Sequence, residues 1–287
     1  MVLRNNVLIL RDWVVDVSHK SLRLLPSLQL RYGIEIGEIR VLGFDNIASI
    51  IAAQHRWQLR FFRQPDHFYF NDLKTGILQS RTLIKDLVNT DHPTSFCVID
   101  EISVVDNATT NAAIILQHTA WNFCEGRFQK GDIVLMLHYA YGAVKKSMEA
   151  YVNRARGNVV EVPLPFLVNS NNEIVSEFRK ALERGKSNGN RVRLAVIDHV
   201  TSMLCLVIPI KDLIQICREE GVDQVFVDAA HSIGCTDVDM KEIDANFYTS
   251  NLHKWFFCPP SIAFLYTRRN PKGSSSDLHH PVVSHEG

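Results

Sequence analysis

Two residues in this sequence suggest chemistry once their neighbours are considered. Asp228 follows the apolar run Val225-Phe226-Val227 and opens Asp228-Ala229-Ala230-His231. A carboxylate at the end of a buried strand can meet a ligand's protonated ring nitrogen, although an isolated aspartate there is more often a turn or a helix cap. Lys254 stands in Ser250-Asn251-Leu252-His253-Lys254-Trp255. A lysine between His253 and Trp255-Phe256-Phe257 is expected to be partly buried, which lowers its pKa and favours the free amine that carbonyl chemistry needs. The plainer alternative is a lysine snorkelling from an apolar wall.

Three further stretches follow the same logic. Val104-Val105-Asp106 leads to Asn107-Ala108-Thr109-Thr110-Asn111, which opens a helix. Backbone N–H groups and hydroxyls at a helix start make an anion cradle, and plain N-capping by Asn107 or Thr109 is the competing reading. The run 132–137 is followed by His138-Tyr139-Ala140-Tyr141-Gly142, where an aromatic could cover a flat ring or pack in the core. Val196-Ile197 is followed by Asp198-His199-Val200-Thr201-Ser202, with the same two readings.

The elements that must position these residues alternate. The spacing predicts helices over 111–124, 144–156, 174–184 and 210–220, and strands over 132–137, 193–200, 224–227 and 261–266. Residues 54–63 are a further helix, with Trp57 and Phe61 on one face. Continuous rather than alternating apolar strands mean a mainly parallel sheet covered by helices on both faces. Such sheets bind ligands beyond the carboxyl ends of their strands. An anion cradle, an aromatic, a polar strand end, an acid and then a lysine, in that order, is the layout that suits pyridoxal phosphate. Competing motifs fail: there is no GxGxxG and no GxSxG, and Gly185-Lys186-Ser187 has Lys180 where a P-loop needs its first glycine.

Composition narrows the classes. Lys+Arg and Asp+Glu are 31 each among 287 residues, so the chain lacks the basic excess of a nucleic-acid binder. No apolar stretch reaches the roughly 18–20 residues of a membrane helix. The six cysteines show no CxxC pairing, which reads as a reducing compartment, mostly buried thiols and no zinc site. Cys205, Cys235 and Cys258 adjoin strand ends and read as small core residues. The expected compartment is cytoplasmic; the basic, acid-free stretch Ser18 to Arg31 leaves organellar import as the alternative.

The segments VFVDAAHSIG (225–234) and SNLHKWFFCPPSIAFLY (250–266) resemble fold-type I pyridoxal-phosphate enzymes of the class V aminotransferase group. Within that group the chain is most similar to the plant-type L-cysteine desulfhydrases, close relatives of isopenicillin N epimerase-like proteins. HRWQLRFFRQPDHFYF (55–70), DEISVVDNATTNAAIILQ (100–117) and HYAYGAVKKSMEAY (138–151) share the likeness, which runs from about Gln54 to Gly287 with an apparent insertion near Pro93 to Ile99. The resemblance implies an α/β fold, the fold-type I large domain, and divides the chain into a divergent segment 1–53, an incomplete cofactor-binding large domain 54–270 and a C-terminal linker 271–287. It implies a small domain, absent here, that supplies an arginine for the substrate carboxylate, and a homodimer whose partner adds a phosphate contact.

The resemblance also implies roles. Lys254 would bond the cofactor aldehyde as a Schiff base, Asp228 would pair with the ring nitrogen, and His231 would stand beside the ring hydroxyl. Ala108 and Thr109 would hold the phosphate, with Asn251 and His253 nearby; several relatives have serine where this chain has Asn251. Tyr141 would stack on the ring and Thr201 or Ser202 would approach its edge. The implied reaction is β-elimination of L-cysteine to hydrogen sulfide, pyruvate and ammonia, without a metal, nucleic acid or membrane. The alternatives are a non-catalytic paralogue that binds the cofactor or a full-length partner, and a desulfurase or epimerase of the same group.

Overall fold

A computed structural model describes residues 36–90 and 98–268, together with three short strands between residues 2 and 16. The import-like stretch Ser18 to Arg31, most of the insertion near Pro93 and the linker 271–287 lie outside the described residues. The three short strands, β1 (Val2–Arg4), β2 (Val7–Leu10) and β3 (Trp13–Asp16), form an antiparallel sheet in sequence order.

The main sheet has seven strands: β4 (Ile102–Val105), β5 (Ile133–Leu137), β6 (Asn158–Val162), β7 (Val192–Asp198), β8 (Gln224–Asp228), β9 (Phe247–Asn251) and β10 (Ala263–Thr267). Their order is β4-β10-β9-β8-β7-β5-β6. From β9 to β6 every neighbour is parallel, and β10 runs against both β9 and β4. The helices are α1 (Ile36–Arg63), α2 (Lys74–Leu87), α3 (Ala108–Cys124), α4 (Gly142–Ser147), α5 (Asn171–Lys186), α6 (Ile210–Glu219) and α7 (Met240–Ile243).

Both faces of the sheet are apolar, and the strand period of two sends alternate residues into separate cores. In β5, Ile133, Leu135 and Leu137 pack with α5 and α6 through Phe178, Leu182 and Leu213. Val134 and Met136 point the other way, to Ile115 and Leu116 of α3 and Val144 of α4. All five β5 residues are buried, which is why that strand reads as an unbroken apolar run. The expected α/β architecture, mainly parallel with helices on both faces, is the observed one. The aromatic face expected over 54–63 is present: Trp57 and Phe61 both make edge contacts with Phe68, at 5.6 and 5.7 Å.

Two strands escaped the sequence pattern. Strand β9 reads Phe-Tyr-Thr-Ser-Asn and is buried throughout despite three polar residues. Those residues are paired internally: Thr249 Oγ1 donates to the Phe264 carbonyl at 2.9 Å, and Ser250 Oγ to the Ala229 carbonyl at 2.5 Å. Strand β6 lies at the sheet edge with a half-exposed pattern, so it carries no continuous apolar signal.

One buried amide ties the start of α3 to this part of the sheet. Asn111 Nδ2 donates to Thr249 Oγ1 at 2.7 Å and to the Phe264 carbonyl at 3.1 Å. Asn111→Ala removes both bonds and leaves a small void, so unfolding free energy should fall by roughly 1–3 kcal/mol. Denaturant unfolding of parent and variant measures this; equal midpoints would contradict it.

Candidate active site

The carboxyl ends of β4, β5, β7, β8 and β9 open on one cleft of about 170 Å³. Asn107, Ala108 and Thr109 reach it after β4, Tyr141 after β5, Ser202 after β7, Ala230 and His231 after β8, and His253 and Lys254 after β9. Asp198, Asp228 and Asn251, the last residues of their strands, complete the lining. All nine expected site residues, Lys254, Asp228, His231, Ala108, Thr109, Tyr141, Ser202, Asn251 and His253, therefore meet in one place. Of the alternative pair after β7, Ser202 faces the cleft. Thr201 is buried, and its Oγ1 accepts the Leu206 amide at 3.0 Å, closing a turn.

At the start of α3, Asn107 is the N-cap and accepts the Thr110 amide at 2.9 Å. The cradle differs in detail from expectation. The Ala108 amide donates to Asn251 Oδ1 at 2.9 Å, so this N–H is already used and Asn251 acts as a second cap. The Thr109 amide and the threonine hydroxyls remain as the donors an anion would meet, with the positive end of a 17-residue helix behind them. His253 is oriented from below: its Nδ1 lies 2.9 Å from the Ile262 carbonyl, which places the ring proton there and leaves Nε2 as acceptor.

Lys254 Nζ is 2.8 Å from His231 Nε2, and His231 Nδ1 accepts the Trp255 indole N–H at 3.2 Å. Burial pushes Lys254 below the ordinary lysine range, against the pull of Asp228. Burial, with Lys254 beside it, pushes His231 down to about 4, so the imidazole is neutral near pH 7. The chain must turn tightly to bring these side chains together. Gly234 has φ +87°, and a Cβ on it would sit 2.3 Å from the Trp255 carbonyl oxygen. Only glycine allows the turn after β8 to lie this close to the lysine loop.

Asp228 is buried, and its Oδ1 accepts the Ala230 amide at 3.1 Å. Burial raises its pKa to about 6. Sequence reasoning gave too little weight to its neighbour. Asp198 stands opposite Asp228 in the parallel register of β7 and β8, so both side chains share a face. Burial first, and the charge of Asp228 second, hold Asp198 well above the usual carboxylate range. Its Oδ2 has no hydrogen-bond partner among the described residues. The one available signal was that both strands end in aspartate.

The cysteines are partly corrected. Cys258 is buried, as expected, and burial pushes its thiol to about 12. Cys205, expected in the core, is exposed, because it sits in the turn after β7 with φ +49°. Among the described residues no cysteine lines the cleft, and no cluster of His, Cys, Asp or Glu could hold a metal ion.

The aspartate pair predicts a pH dependence. Both folded-state pKa values lie above the unfolded value near 3.8, so the folded chain retains protons that the unfolded chain releases. Stability of the cofactor-free chain should therefore decline as pH rises from about 4 through about 6. Asp228→Asn or Asp198→Asn should flatten that decline. Thermal unfolding across this range tests it; an unchanged slope in both variants would contradict it.

Comparison with known proteins agrees with the arrangement. Residues 65–280 match the family model described as aminotransferase class-V. The chain is 67% identical over 239 residues to a probable chloroplastic L-cysteine desulfhydrase of Arabidopsis thaliana, covering 83% of this chain and 49% of that protein. It is 60% identical over 238 residues to an L-cysteine desulfhydrase of the same plant, covering 83% and 51%. The chain thus spans about half the length of the curated relatives it matches. Among solved structures, a cysteine desulfurase of Escherichia coli superposes with TM-score 0.55 at 17% identity, covering 68% of this chain and 44% of that one. A cystine C–S lyase superposes with TM-score 0.56 at 19% identity, covering 75% and 53%. At those identities the superpositions speak for the fold alone. With the family model spanning most of its length, the chain belongs to the class-V aminotransferase family.

Proposed function

We propose that this chain is the cofactor-binding part of a pyridoxal 5′-phosphate-dependent carbon–sulfur lyase that converts L-cysteine and water to hydrogen sulfide, pyruvate and ammonia. The observation carrying this is the convergence of nine residues from separate strand ends on one cleft, with Lys254 half-buried against a neutral His231. The names of the two Arabidopsis relatives support the substrate.

The residues present fit the cofactor. Asp228 is a buried carboxylate facing an open cleft, and a protonated ring nitrogen would supply the counter-charge its burial lacks. Thr109, Ala108, Asn251 and His253 would hold the phosphate, Lys254 the aldehyde carbon, and Tyr141 and Ser202 the ring face and edge. When bound, the cofactor supplies an electron-withdrawing ring that stabilises the negative charge left on the substrate α-carbon. The chain's own groups do the rest. Lys254, as a free amine, removes the α-proton. His231 Nε2–H steadies that amine beforehand. Asp228 keeps the ring nitrogen protonated. His231 and Tyr141 are the cleft groups with a proton to offer the departing sulfur.

Elimination is favoured over persulfide transfer because the latter needs a mobile nucleophilic thiol, and none of the described cysteines lines the cleft. Residues 54–270 form the large domain in this reading and 271–287 a linker to a small domain. The pairing state is a homodimer, supported by exposed apolar side chains at the end of α1 and just beyond it: Leu59, Phe62 and Phe70. No helix among the described residues is long and apolar enough to cross a membrane. The compartment is cytoplasm, or plastid if the likeness to a chloroplastic relative extends to targeting.

Titrating the purified chain with pyridoxal phosphate should give a near-visible absorption band, absent in Lys254→Ala. Sulfide release from L-cysteine should fall roughly 10²–10⁴-fold in that variant. A folded parent without the band would contradict the proposal; a band without sulfide would mark a chain that binds cofactor and does not turn over.

A further inference from the structure

We propose that Trp255 is a positioning residue for Lys254: its indole N–H occupies His231 Nδ1, so the imidazole proton lies on Nε2 and is offered to an uncharged lysine amine. The inference rests on the reading of Lys254 as the amine that takes the cofactor aldehyde.

The argument is one of donors and acceptors. Indole Nε1 only donates, and it lies 3.2 Å from His231 Nδ1. Nδ1 must therefore carry the lone pair. A neutral imidazole has one N–H, which is then on Nε2, 2.8 Å from Lys254 Nζ. An ammonium there would set N–H against N–H; a free amine accepts the bond. The histidine acts on the lysine as it does only because the tryptophan has fixed its tautomer. Trp255 is itself fixed, since its carbonyl is packed against Gly234 of the turn that carries His231.

The other groups around Lys254 do not produce this effect. Asp228 on β8, with Asp198 behind it on β7, favours the ammonium by charge. His253 on the lysine's own loop is turned to the Ile262 carbonyl. Tyr141, beyond β5, is a neutral phenol on the opposite lining. Burial and the donor face of His231 are what oppose the carboxylates. In Trp255→Phe the His231 proton can move to Nδ1, and Nε2 can then accept from an ammonium. The variant should make Lys254 more basic.

The test needs no bound cofactor. Competitive labelling of the 287-residue chain with acetic anhydride across pH, read by peptide mass spectrometry, gives the titration of Lys254 itself. In Trp255→Phe the midpoint should rise by about one pH unit, with labelling at pH 7 slowed on the order of tenfold. A profile identical to the parent's would overturn the proposal. Should that variant fail to fold, ¹⁵N NMR of the parent decides: an Nε2–H tautomer at His231 supports the assignment, and an Nδ1–H tautomer overturns it. A raised midpoint in a chain whose parent gains no absorption band with pyridoxal phosphate would uphold this inference while overturning the cofactor reading.

Discussion

An amine and a carboxylate are both held out of water at one edge of a parallel sheet, and the rest of the site follows from that. Lys254 and Asp228 each lose hydration on folding, and burial moves both toward their neutral forms. Isolated, either group would be a liability. Together in a cleft they suit a ligand that brings a carbonyl for the amine and a cation for the acid. The cost of burying them makes sense only when that ligand is bound.

The sheet makes the juxtaposition possible. Parallel strands β4, β5, β7, β8 and β9 all finish on the same side, so residues far apart in sequence arrive within one cleft. The reversed strand β10 lies between β9 and β4 and brings the start of α3 beside the end of β9, where Asn251 caps Ala108. Asn111 fixes the same contact from inside the core. The anion cradle and the lysine loop are thus parts of one hydrogen-bonded unit. Gly234 completes it by letting the turn that bears His231 rest on the backbone of Trp255.

Much of this was legible in the sequence, for identifiable reasons. Strands buried on both faces, such as β5 and β7, leave continuous apolar runs, and helices such as α5 and α6 leave a clear apolar stripe. The site residues were legible because a parallel sheet puts its chemistry just after each strand. Strand β9 was not, because its burial is supported by internal hydrogen bonds of Thr249 and Ser250 rather than by apolar side chains. The pairing of Asp198 with Asp228 depends on which strands are neighbours, and no local pattern reports that. The Trp255–His231 bond likewise exists only after the turn at Gly234 has closed. Cys205 looked like core because its neighbours are apolar, yet a turn with positive φ lifts it to the surface.

The central claim is that Lys254, and no other lysine, is the amine presented to a cofactor aldehyde. Its most direct test is borohydride reduction of the chain mixed with pyridoxal phosphate, followed by peptide mapping. The account predicts a pyridoxyl mass addition on Lys254 at stoichiometric cofactor. Labelling spread over surface lysines, with Lys254 unmodified, would contradict it.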